Sequence, residues 1–71
     1  MLRLLRRLRE EAGFRQADIA KGLGRQQTFV SKYEVGERRL DVIELRAICR
    51  LLGTNLSSFV ESLESELTKP N

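Results

Sequence analysis

The 71-residue sequence predicts an all-α fold of five short helices, and three observations carry that prediction. Apolar residues recur at three- and four-residue spacing in successive segments. Glycines punctuate those segments at positions 13, 22, 24, 36 and 53. No segment alternates apolar and polar residues with the period of two that a half-buried strand requires.

The first helix is expected from about Leu2 to Ala12, on a stripe of Leu2, Leu5, Leu8 and Ala12 widened by Leu4, with Gly13 ending it. The second is expected over Gln16 to Lys21, where Ala17 and Ala20 allow close packing. Gly22-Leu23-Gly24 then reads as a turn, since two glycines in three residues break a helix. The third is expected from Gln26 to Glu34 and stopped by Gly36. A fourth is expected from Asp41 to Leu52, with Asp41 and Glu44 in its first turn, where the helix dipole favours negative charge. Its buried stripe is Val42, Leu45, Ile48, Cys49 and Leu52. Gly53 caps it, and Thr54 or Asn55 caps the next helix. The fifth is expected from Leu56 to Leu67, on Leu56, Phe59, Val60, Leu63 and Leu67. Residues 1–67 are thus one domain, and 68–71, with Pro70, are a short tail.

Composition narrows the function. A chain this short buries only about 60% of its unfolded surface, so its margin of stability is thin. One Cys and no His rule out an internal disulfide and argue against a Cys/His zinc site. Stability is expected from packed helices or from a partner chain. A single free thiol fits a reducing compartment, and a cytoplasmic location is expected. Cys49 reads as a small buried hydrophobe rather than a redox group. No apolar run approaches the roughly 18 residues of a membrane span. The start, MLRLLRRLREE, has helical rather than signal-peptide order, and no membrane partner is expected. No enzyme is expected either: there is no phosphate-binding glycine loop and no nucleophile–base pair. No cofactor and no metal are implied.

Charge is divided unevenly. Residues 1–39 hold ten Lys or Arg against five Asp or Glu, and residues 40–71 hold three against five. A basic half joined to an acidic one fits an anionic partner on one side, or a solvated basic face. Within the third helix, steps of 100° place Val30 and Tyr33 on one side, with Gln26 and Phe29 at its margins. Gln27, Thr28, Ser31, Lys32 and Val35 fall on the other. That second face carries one positive charge and no negative one. It is either wet or suited to base edges: Gln bonds adenine twice, Ser and Thr bond any base, and Lys reaches guanine or phosphate. Two short helices across a glycine turn have the geometry of a helix-turn-helix or of an ordinary helical hairpin.

The register of Leu8-Arg9, Gly13, Gln16, Ile19-Ala20, Gly24, Val30-Ser31, Tyr33-Glu34, Gly36 and Leu52-Gly53 resembles the phage-repressor-like (XRE) helix-turn-helix family of DNA-binding proteins. The resemblance covers residues 2 to 60. It implies a five-helix lambda-repressor-like domain that binds double-stranded DNA, with the helix-turn-helix at the second and third helices. It implies base contacts from Gln27, Thr28, Ser31 and Lys32. It places Gln16 at a phosphate, although a solvent-facing role is open. Gln26, Arg15, Arg25, Arg38 and Arg39 are expected along the DNA backbone, and Arg3, Arg6 and Arg7 are either solvated or in contact. Arg9 and Glu34 are implied to form a buried structural ion pair. Phe29, larger than is usual there, is either core packing or a contact to a thymine methyl.

The resemblance also implies a homodimer, and Leu63 and Leu67, beyond the expected four-helix core, are the candidate interface. The expected function is a small transcriptional regulator acting as a repressor. With no effector domain in sight, control is expected from concentration, dimerisation or a protein partner. The alternative is an antitoxin or another protein-interaction module on the same fold.

Overall fold

The computed structural model describes residues 1–68, and they form five helices: α1 (Leu2–Glu11), α2 (Gln16–Leu23), α3 (Gln27–Glu34), α4 (Val42–Leu51) and α5 (Leu56–Thr68). No strand occurs among the described residues. Helix α5 runs one residue past the expected domain boundary, and the rest of the expected tail, residues 69–71, lies outside the described residues.

One core joins all five helices: Leu4 and Leu5 from α1, Ile19 and Ala20 from α2, Phe29, Val30 and Tyr33 from α3, Leu45, Ile48 and Cys49 from α4, and Phe59 from α5. Four predicted packing positions lie elsewhere, one of them Ala17 of α2, which is exposed. The stripe of α1 is centred on Leu4 and Leu5, while Ala12 is the exposed C-cap. Val42 is 59% exposed, because it opens the first turn of α4. Val60 is 48% exposed, because it points off the side of α5 whose neighbour Phe59 fills the core. Burial pushes the Cys49 thiol above its usual range.

The turn between α2 and α3 is tighter than the two glycines suggested. Gly22 is helical, and a Cβ there would come within 2.7 Å of a terminal methyl of Leu51, so its small size lets α2 lie close on α4. Only Gly24 makes the turn. It takes the left-handed conformation (φ 68°), which glycine adopts without steric cost. The Arg25 N–H then closes on the Ala20 carbonyl at 2.9 Å.

At the start of α4, Asp41 accepts the Glu44 N–H at 2.7 Å and Glu44 accepts the Asp41 N–H at 3.1 Å, a reciprocal capping box. Asn55 caps α5 by accepting the Ser58 N–H at 2.8 Å.

Candidate nucleic-acid interface

Helix α3 has eight residues, too few to hold a helix alone in water. Its conformation is imposed from behind. Val30 and Tyr33 are buried, and Phe29, only 8% exposed, packs its ring edge-on to Tyr33 at 5.6 Å. Phe29 is therefore core, which excludes the thymine-methyl contact left open for it. Burial pushes the Tyr33 phenol up to about 12.

A buried polar cluster fixes the C-terminal end of α3. Arg9 Nε donates to one Glu34 carboxylate oxygen at 2.7 Å and its Nη2 to the other at 3.1 Å. Arg9 Nη1 donates to the Phe14 carbonyl at 2.8 Å, and Gln16 Nε2 donates to Glu34 at 2.9 Å. The two charged side chains are 11% and 2% exposed. The hydrogen bond to Glu34 raises the Arg9 guanidinium above its usual range. α1, α2 and α3 thus meet at one carboxylate. Gln16, expected at a phosphate, has its amide turned toward this cluster and keeps one N–H and its carbonyl for any further partner.

The opposite face of α3 is free. Gln27, Thr28 and Lys32 are exposed, as is Gln26, whose side chain makes no cap hydrogen bond. Ser31 is half-buried and donates its hydroxyl to the Thr28 carbonyl at 3.2 Å, so it faces outward as an acceptor. With Glu34 turned inward, that face presents no carboxylate.

The flanking arginines separate into two kinds. Arg39 is exposed, and among the described residues it makes no ion pair. The Arg15 side chain is 84% exposed and 3.6 Å from Asp18. Asp18 also accepts the Arg15 backbone N–H at 2.8 Å, which holds its carboxyl below the usual range and forms the reciprocal half of a capping box, while the Arg15 side chain makes no cap hydrogen bond. Arg25 and Arg38 are tied to Glu44. Arg38 donates two N–H groups to it, at 3.1 and 3.0 Å, and Arg25 one, at 3.3 Å. Both guanidiniums also lie over the Phe29 ring, at 4.6 and 4.5 Å from its centre.

Glu44 is the residue that sequence reasoning missed. Its position in the sequence marks it only as a helix-dipole charge. The Asp41-x-x-Glu44 spacing, a capping-box signature, was the available signal that its side chain is fixed.

At the far end, Leu63 packs against the core and Leu67 is 71% exposed. No helix of the described residues is long and apolar enough to cross a membrane.

Comparison with known proteins identifies the fold and the family. The model of a family described as a helix-turn-helix domain matches residues 1–57. A solved structure, of an XRE-family like protein from Pseudomonas syringae pv. tomato str. DC3000, is similar at 47% identity with a TM-score of 0.87, over 96% of this chain and 82% of that one. No curated protein matches.

Proposed function

This chain belongs to the XRE-type helix-turn-helix family of DNA-binding regulators, and from that premise we propose that it is a small repressor that reads sequence with α3 in the major groove. The observation that carries the reading is the division of α3 into a buried half, locked by Tyr33 and Glu34, and an exposed half free of carboxylates. A rigid back and an acid-free polar front suit a helix inserted between two phosphate backbones.

In this reading Gln27, Thr28 and Lys32 meet base edges, and Ser31 accepts from an amino group through its remaining lone pairs. Gln26 and Gln16 approach phosphates near the starts of α3 and α2. Arg39 and Arg15 supply mobile positive charge to the backbone, and Arg25 and Arg38 supply fixed charge. Backbone contacts set register and salt dependence without carrying sequence information. Two copies, meeting at the end of α5 where Leu67 is exposed, place two α3 helices on successive turns of one DNA face, roughly 34 Å apart. Occupancy of the groove then excludes other proteins from the same site.

Selection of duplexes from a random DNA pool at near-physiological salt tests this. An inverted repeat with half-site centres about ten base pairs apart is expected. On the selected duplex, Gln27→Ala is expected to cost about 1–3 kcal/mol and to relax the preference at one base pair. Arg39→Ala is expected to weaken binding to every duplex alike and to lower the salt slope by about one. Equal action of both changes on all duplexes would remove α3 from base reading.

A further inference from the structure

We propose that Glu44 is a positioning residue for DNA recognition, holding Arg25 and Arg38 at set places beside α3. The inference rests on the reading of α3 as the helix that enters the groove. Arg25 precedes α3 and Arg38 follows it, so one carboxylate on α4 anchors both flanks of the helix. The anchor is itself fixed. Glu44 sits at the third position of α4, its side chain is 15% exposed, and the Asp41 N–H holds it in the capping box. Phe29 provides a floor that both guanidiniums cover, and its own place is set by the core.

The bonding leaves part of each arginine available. Arg38 spends both Nη1 protons, on Glu44 and on the Arg39 carbonyl, and one Nη2 proton on Glu44. Of the five N–H donors of a guanidinium, its Nε–H and one Nη2–H are left for a phosphate. Arg25 spends one Nη2 proton on Glu44. A guanidinium already held by a carboxylate and an aromatic face loses less freedom when a phosphate arrives, so its contact is set in direction as well as in charge. The carboxylate also offsets one of the two positive charges. Glu44 therefore lowers attraction to DNA in general while fixing where the backbone must lie for α3 to reach its bases.

Two substitutions separate position from charge. Glu44→Gln keeps side-chain length and removes the charge; Glu44→Asp keeps the charge and withdraws it by one methylene. Each is measured by fluorescence anisotropy against the selected duplex and against a scrambled duplex, over a range of salt, with helicity and melting followed in parallel. Both variants are expected to stay folded and to lose about tenfold or more in the ratio of selected to scrambled affinity, the scale of one well-made base contact. In Glu44→Gln the scrambled duplex is expected to bind more tightly, with a salt slope steeper by up to about one.

Unchanged discrimination in Glu44→Asp, together with equal tightening on both duplexes in Glu44→Gln, would overturn the inference and leave Glu44 as a charge only. The wild-type arm reads the underlying function separately. A wild-type chain without preference for the selected duplex overturns the α3 reading, and this inference falls with it.

Discussion

Two arginine–carboxylate clusters grip α3, one from behind and one from its flanks, and they differ chiefly in how much water reaches them. Arg9 and Glu34 are 11% and 2% exposed, and every Glu34 contact is internal to the fold. Arg38, Arg25 and Glu44 are 37%, 47% and 15% exposed. The chemistry is the same and the consequence is not. A buried charge whose partner is removed stays desolvated and unpaired, so the inner cluster holds the fold together. A charge at the surface is rescued by water, so the outer cluster adds little to stability and is free to serve a ligand. Location, rather than the identity of the pair, decides how much each cluster adds to the stability of this small domain.

Arg9→Ala tests the strong side of that contrast. It strands Glu34 among α1, α2 and α3, with an expected loss of about 3–5 kcal/mol. Urea denaturation is the measurement, and in a domain this small that loss brings the chain close to unfolding at room temperature. A loss under about 1 kcal/mol would erase the distinction between the clusters.

Alkaline pH probes the same inner surface without a mutation. Tyr33 is the only tyrosine and there is no tryptophan, so absorbance near 295 nm follows this phenol alone. Its folded value, about 12, lies above the ordinary 10. The unfolded chain therefore ionises first. The stability Tyr33 confers is intact below about pH 10 and is lost as pH rises through about 12, by up to roughly 3 kcal/mol for two units. A phenol titrating at its ordinary value would mean that the back of α3 is wet.

The outer cluster gives the smallest effect, by acid. Hydrogen bonds from Arg38 and from the Asp41 N–H hold the Glu44 carboxyl below its ordinary 4.5. Its contribution is present above that pH and is lost as pH falls through the lower folded value. Urea melts of the wild type and of Glu44→Gln are expected to differ by no more than about 1 kcal/mol at neutral pH and to converge in acid. A gap that persists at low pH would assign the difference to shape and not to charge.

How much of this was legible in the sequence follows from range. Glycines and apolar spacing placed the five helices, because both signals lie within a few residues of the boundary they mark. They failed where a helix face depends on what stands opposite. Val42 and Val60 fit their stripes, yet both are exposed. Gly22 reads as a breaker, yet it is helical, and what a side chain there would meet is Leu51, on a helix distant in sequence, rather than a turn. The exposed face of α3 was legible from its periodicity. The Arg9–Glu34 pair, 25 residues apart in the chain, came only through family resemblance. Glu44 was half legible: its cap is local, but Arg25 lies 19 residues away and Arg38 comes from the loop beyond α3.

The length of α3 carries one more consequence. Eight residues span roughly 12 Å, and B-form DNA rises about 3.4 Å per base pair, so in the proposed reading the helix lies beside about four pairs at once. On that reading, one of four bases at each yields about eight bits, and the proposed pair of chains about sixteen. Singling out one address among about a million competing sites takes about twenty. The shortfall is fixed by helix length before any side chain is chosen. On the proposed reading, such a regulator is addressed by its own abundance, by repeats of its site and by the stiffness of the DNA between contacts, as well as by the letters it touches.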